Sequence, residues 1–187
     1  MAAVTIVAIQ PMGALDPKLV RAVAKCIEAT FAVRVRVLPV KELPDTALYL
    51  PRMRFRGERL IHWLGAARPP RVASILGLMS RDVSVTKGAI YDWGVIGVAS
   101  PSVASGLVST FRLGRNRAPA SLVMLRLTRV ALHELGHTFG LPHCKTPGCI
   151  MNDAYGAIAT IDESSGTFCA ICRGRLKPGA LKEPDAQ

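Results

Sequence analysis

Hydrophobic positions repeat with a period of two in some stretches of this chain and of about 3.6 in others, and the changes of period mark out its elements. Residues 4–9 form a short β-branched run that predicts a central strand, ended by Pro11 and Gly13. Asp16-Pro17 has the form of a helix N-cap with proline at the first helical position. Leu19, Val20, Val23, Cys26 and Ile27 then recur at helical spacing, which predicts an amphipathic helix over residues 17–30. Val33, Val35 and Val37 alternate with Arg34 and Arg36 and predict a second strand. Strand, helix, strand begins an α/β layer architecture.

Residues 41–55, with Pro44 and Pro51, read as irregular. A helix is predicted over residues 57–67, burying Leu60, Ile61 and Leu64 and stopped by Pro69-Pro70. Further strands are predicted over 72–79, 93–99 and 107–111; Gly94 and Gly97 mark close approach of another backbone. Residues 116–120 read as a loop. The longest helix runs from Pro119 or Ala120 to Phe139. Its apolar face is broad (Met124, Leu127, Ala131, Leu135), so it is predicted to be central and buried. Beyond Gly140 only a short helix over 162–172 is expected. Residues 178–187 carry little to bury and predict disorder.

Half of the 187 residues are apolar, enough for one substantial core. One catalytic domain over 1–187 is expected, with an N-terminal lobe over 1–140 and a C-terminal lobe over 141–187. The first ten residues lack the early Lys or Arg of a signal peptide, and no apolar stretch is long enough to span a bilayer. A cytoplasmic monomer without membrane contact is the expectation.

The net charge of +11 implies a basic, solvated surface or contact with something acidic. Arg52, Arg54, Arg56 and Arg59 form one cluster, and Arg112, Arg115 and Arg117 another. Neither interleaves aromatic residues, so a nucleic-acid partner is not expected.

The chemistry concentrates in the last third. Residues 133–143 read His-Glu-Leu-Gly-His-Thr-Phe-Gly-Leu-Pro-His. His133 and His137 lie one helical turn apart and project from one face, so both can hold one ion. Zinc is the first choice, because three imidazoles leave a fourth tetrahedral position for water. Glu134 is not a ligand in this arrangement; its expected role is to take a proton from that water and pass it to the leaving amine. Gly140 lets the chain leave the helix sharply, through a positive φ, and bring His143 back to the metal. His62 stands apart and receives no role.

Cys144, Cys149, Cys169 and Cys172 form two close pairs separated by a loop, the layout of a structural four-cysteine zinc site. A redox pair at Cys169 and Cys172, or an iron–sulfur cluster, uses the same residue types. Cys26, in an apolar helical pattern, is expected to be a buried inert thiol. Met151 is a candidate for a tight turn beneath the metal.

The whole pattern resembles the metzincin metallopeptidases, and more narrowly the archaemetzincins. Their signature H-E-x-x-H-x-x-G-x-x-H-C-x4-C-x-M, then seventeen residues and C-x-x-C, is matched at His133, Glu134, His137, Gly140, His143, Cys144, Cys149, Met151, Cys169 and Cys172. The resemblance implies an α/β (α+β) metzincin-like zincin fold: a twisted mixed sheet with helices, a central active-site helix and a small C-terminal lobe. It implies His133, His137 and His143 as ligands of a catalytic zinc, Glu134 as general base and Met151 as the Met-turn. The four cysteines carry over as ligands of a second, structural zinc. Residues 93–99 look like the family's edge strand, with residues 95–99 as backbone contacts for a peptide or protein substrate.

The expected reaction is therefore peptide-bond hydrolysis by a zinc-bound water activated by Glu134; the resemblance implies restricted specificity, aminopeptidase-like in some members, and leaves internal and end-directed cleavage both open. Asp92, Asp153, Asp162 and Glu163 are the carboxylates available to hold a free amine. In some metzincins a tyrosine stands two residues beyond the Met-turn methionine; here that position is Asp153, and Tyr155 and Tyr91 are the nearest substitutes. The alternatives are a zinc hydrolase of a non-peptide amide and a non-catalytic zinc-stabilised binding protein for an acidic partner.

Overall fold

The computed structural model describes residues 4–182. Strand β1 (Thr5–Met12) leads to helix α1 (Pro17–Thr30) and strand β2 (Val33–Val37). Asp16 caps α1 as the sequence predicts, its Oδ1 accepting the Lys18 N–H at 2.8 Å. Then follow β3 (Leu48–Tyr49), β4 (Arg54–Arg56), α2 (Gly57–Ala66), β5 (Ser74–Met79), β6 (Val83–Lys87) and β7 (Ile90–Val95). The rest comprises β8 (Gly97–Ser100), β9 (Ser105–Ser109), α3 (Ala120–Thr138), α4 (Ile158–Glu163) and α5 (Ala170–Arg175).

Five strands make the main sheet in the order β2-β1-β5-β9-β8. Its pairings are parallel except the last, where β8 runs antiparallel to β9 and forms the edge. Both faces of this sheet are covered, so its inner strands read as continuous apolar runs. Val7, Ile9, Leu76 and Leu78 pack with α1 and α3 on one face. Ala8, Met12, Ile75 and Met79 pack with α2 on the other. The α/β class and the mixed sheet expected from the resemblance are both present.

The fold departs from the sequence reading in several places, among them β3 and most of β4 within the stretch 41–55 expected to be irregular. Residues 93–99 are two strands rather than one. β7 belongs to a second, four-stranded sheet of order β3-β4-β6-β7, β8 belongs to the main sheet, and the crease falls at the buried Ile96. The helix expected over 162–172 is two helices, α4 and α5, because Gly166 between them takes a φ of +77° that a helix cannot accommodate. Of the expected disordered tail, residues 183–187 lie outside the described residues. Ala180 and Leu181, however, pack on the core, and Ala32 N–H donates to the Ala180 carbonyl at 2.9 Å. None of the described helices is long and apolar enough to cross a membrane.

The arginine clusters are also partly internal, contrary to a purely solvated face. Asp82 accepts Arg112 through both carboxylate oxygens, at 2.8 and 2.9 Å, and Arg54 at 2.8 Å. Asp92 accepts Arg54 at 2.9 Å and lies 3.5 Å from Arg52. Buried Arg56 donates to the Tyr91 carbonyl and to Thr86 Oγ1, with its guanidinium 4.0 Å from the Tyr91 ring centroid. These contacts tie β4, β6 and β7 to the segment after β9.

Candidate metal centre

Helix α3 delivers His133, Glu134 and His137 to one cleft, and its C-terminus turns the chain back to supply His143. Gly140, at φ +89°, makes that turn. Its N–H donates to the His137 carbonyl at 2.9 Å, and the Leu141 N–H donates to the Gly136 carbonyl at 3.0 Å. This is a Schellman motif, in which two orphan carbonyls of the helix end are satisfied by the departing chain.

Backbone carbonyls from this turn and from the later loop orient two of the imidazoles. His137 Nδ1 donates to the Leu141 carbonyl at 2.7 Å, and His133 Nδ1 donates to the Ile150 carbonyl at 2.7 Å. Both protons are thereby fixed on Nδ1, and both Nε2 atoms carry bare lone pairs. These two Nε2 atoms lie 3.0 Å apart, a separation at which neutral imidazoles in these tautomers repel rather than hydrogen-bond. A shared cation turns the repulsion into coordination, and zinc at its usual ~2.0–2.1 Å from nitrogen fits the spacing to a few tenths of an ångström. One nitrogen from each of His133, His137 and His143 falls in a group within 4.8 Å. His143 Nδ1 lies 3.4 Å from Asp153 Oδ2, so the third imidazole also has an acceptor behind it. Burial pushes His133 down to about 4, helped by the neighbouring histidines, and also lowers His137. Both are neutral and ready to ligate.

Glu134 is 6 % exposed and lies against the start of the edge strand. Burial pushes its carboxyl up to about 8; a divalent cation beside it would oppose that shift. Beneath the helix, Met151 is fully buried against Gly136. A β-carbon on Gly136 would stand 2.6 Å from Met151 Sδ, so only glycine admits the methionine under the histidines.

The four cysteines converge beside this centre, and their sulfurs all lie within 4.8 Å of one another. Cys144 and Cys169 are 3.7 Å apart, as are Cys149 and Cys172. That is too long for a disulfide and close to the ~3.8 Å edge of a tetrahedron with metal–sulfur bonds of about 2.3 Å. The Cys172 backbone N–H lowers the Cys169 thiol to about 6, which favours a ligating thiolate. Cys26 is half-buried in α1 and takes no part, and burial raises its thiol. His62 is exposed on α2, away from both groups.

Of the carboxylates considered for an amine anchor, Asp92 is engaged by Arg54, and Asp162 by Arg126 at 2.6 and 2.7 Å. Only Asp153 lines the cleft. Tyr155 lines it too, whereas Tyr91 faces Arg56 and Tyr49. Lys87 on the rim escaped the sequence reading, and Trp93 entered it only as the first residue of the expected edge strand. They lie forty or more residues before the histidines, and only the β6–β7 hairpin brings them there.

Comparison with known proteins agrees with this geometry. The model of peptidase family M54 matches residues 103–178. The archaemetzincin of Saccharolobus islandicus is 30% identical over 134 residues, covering 71% of this chain and 70% of that one. The archaemetzincin of Haloquadratum walsbyi is 25% identical over 181 residues, covering 91% and 99%. The crystal structure of archaemetzincin from Archaeoglobus fulgidus, complexed with malonate, superposes with a TM-score of 0.77 at 26% identity, covering 92% of this chain and all of that one. By sequence and by fold alike, this chain belongs to the archaemetzincins of peptidase family M54 and is a zinc metallopeptidase.

Proposed function

We propose that the chain hydrolyses peptide bonds at the three-histidine centre, with Glu134 as general base. The observation that carries this is the pairing of Glu134 with the edge strand. The carboxylate is buried beside the histidines and against Gly97, where a peptide lying along β8 would pass. His133, His137 and His143 hold the catalytic zinc. That ion supplies Lewis acidity toward the scissile carbonyl and toward water. Glu134 takes the proton of the attacking water and passes it to the leaving amine. The free backbone groups of β8 receive the substrate as an added strand. Met151 forms the floor of the site, and Cys144, Cys149, Cys169 and Cys172 hold a second, structural zinc.

One catalytic domain, acting as a cytoplasmic monomer, completes the reading. Five unpaired cysteines fit a reducing compartment. Aminopeptidase action would rest on Asp153, the one candidate amine anchor in the cleft, which would have to serve the substrate as well as His143.

The test is turnover of a diverse peptide mixture by the zinc-loaded chain beside Glu134→Ala, read by mass spectrometry. Cleavage by the first and not the second is expected, and the cut positions separate end-directed from internal cleavage. Equal product from both would remove Glu134 from the mechanism.

A further inference from the structure

The cleft has one end whose chemistry the reaction itself does not use. Lys87, at the end of β6, lies with its ammonium 5.2 Å from the ring centroid of Trp93 on β7 and 5.0 Å from that of Tyr155. All three line the same cleft as the histidines. Tyr155 is 70% exposed and holds a φ of +46°, a left-handed conformation that costs an L-residue free energy. Asp153 keeps it there, its Oδ1 accepting the Tyr155 N–H at 2.8 Å. The exposed Tyr155 ring is thereby held on a cation inside the cleft, the placement a ligand clamp requires.

Lys87 forms no ion pair with any described residue. The other cation lining the cleft, Arg129, is half-buried and donates through one terminal nitrogen to the carbonyls of Ile161 and Asp162 at 3.0 and 2.9 Å, while its buried Nε has no hydrogen-bond partner among the described residues. Lys87 is thus the exposed cation of the cleft, oriented by two rings and without an ion pair among the described residues.

If an added strand continues the antiparallel pairing that β8 makes with β9, the part of a peptide that reaches Lys87 follows from the topology. A strand added antiparallel to β8 advances toward its own C-terminus as the β8 numbers fall. Glu134 touches Gly97, the first residue of β8, so the scissile bond belongs near that point. Residues before the bond then lie along 98–100, and residues after it pass Val95 and Trp93 to Lys87. We infer that Lys87, clamped between Trp93 and Tyr155, binds a carboxylate on the C-terminal, leaving-group side of the scissile bond. This rests on the peptidase reading above. Two sources supply that group: the free C-terminus of a short leaving segment, or an Asp or Glu side chain within a longer one.

Binding to the zinc-loaded Glu134→Ala chain, measured by calorimetry, tests recognition apart from turnover. The probes are acetyl-tetraalanine as free acid and as C-terminal amide, and amidated acetyl-tetraalanine with Asp or Asn at each of the last three positions. The expected result is roughly tenfold tighter binding of the carboxylate form of one pair, the scale of one charge-assisted hydrogen bond. That preference is lost on adding Lys87→Ala and kept on adding Lys87→Arg. A preference for the free acid identifies the C-terminus as the source; a preference for Asp over Asn identifies a side chain. Equal binding within every pair, no binding of any probe, or a preference that survives Lys87→Ala overturns the inference. Failure of the peptidase reading would appear separately, as absence of Glu134-dependent cleavage.

Discussion

Glu134 and Gly97 touch with no room for a methyl group between them: a β-carbon built on Gly97 would stand 2.8 Å from both Cγ and Cδ of the glutamate. The edge strand and the glutamate are thus set against each other by the absence of one side chain. Gly97→Ala is expected to push the carboxylate out of line. The cost should fall on kcat, by about 100-fold, the scale of an ångström-sized misplacement of a catalytic group. Steady-state kinetics beside circular dichroism would check this; a full loss of secondary structure instead would make Gly97 a folding residue.

Gly136 plays a similar part for Met151. Alanine improves helix propensity by about 1 kcal/mol but overpacks against Met151 Sδ at 2.6 Å and Phe168 at 3.2 Å. Gly136→Ala should therefore be net destabilising, by about 1–2 kcal/mol in urea unfolding, since both neighbours are themselves buried and cannot retreat.

The two groups of ligands should separate by metal content. The intact chain is expected to hold two zinc ions by atomic spectroscopy, with His143→Ala and Cys172→Ser each holding one. His143 is exposed, so its loss should spare the melting temperature. Cys172 is fully buried among α5 and the loop of Cys149, so its loss should lower it markedly. Equal effects of the two variants on stability would contradict the division into catalytic and structural ions.

Acid stability should report on Asp162. The Arg126 guanidinium, hydrogen-bonded to it, holds the Asp162 carboxyl below the ordinary carboxylate range. A folded-state pKa below the unfolded one stabilises the fold above the unfolded pKa, and the contribution is lost as pH falls through the folded value. Asp162→Asn should thus cost about 1 kcal/mol at neutral pH, the Asp162 side chain being one-third exposed and partly screened. The gap from the unmodified chain should close below about pH 4.

Asp82 bridges Arg54 and Arg112 with little exposure on any of the three side chains. Asp82→Asn would leave Arg112 without its counter-charge and Arg54 with Asp92 alone. A loss of about 3 kcal/mol in chemical denaturation is expected.

Much of this was legible in the sequence because it is local. Asp16-Pro17 announces α1, the broad apolar face announces α3, and the spacing from His133 to Cys172 places both ligand groups in one region. What escaped depends on partners distant in the chain. β3 and β4 are too short, and too near Pro44 and Pro51, to show a period. The crease at Ile96 leaves the alternation undisturbed, since only the change of neighbour from β6 to β9 reveals it. The arginine clusters read as surface because composition cannot show that Asp82 and Asp92 fold onto them. Leu181 reads as tail because its partner, Phe31, is far away in sequence.

That crease bears on the order in which the molecule assembles. β6 pairs with β7 and β8 with β9 across tight connections, as at Val85 with Trp93 and Ser100 with Ser105. The parallel pairs of the main sheet, such as Val7 with Ser74, must instead close long stretches of chain before any contact repays the lost entropy. The wall of the cleft formed by these hairpins is thus built from cheap closures, and the sheet that supports it from expensive ones.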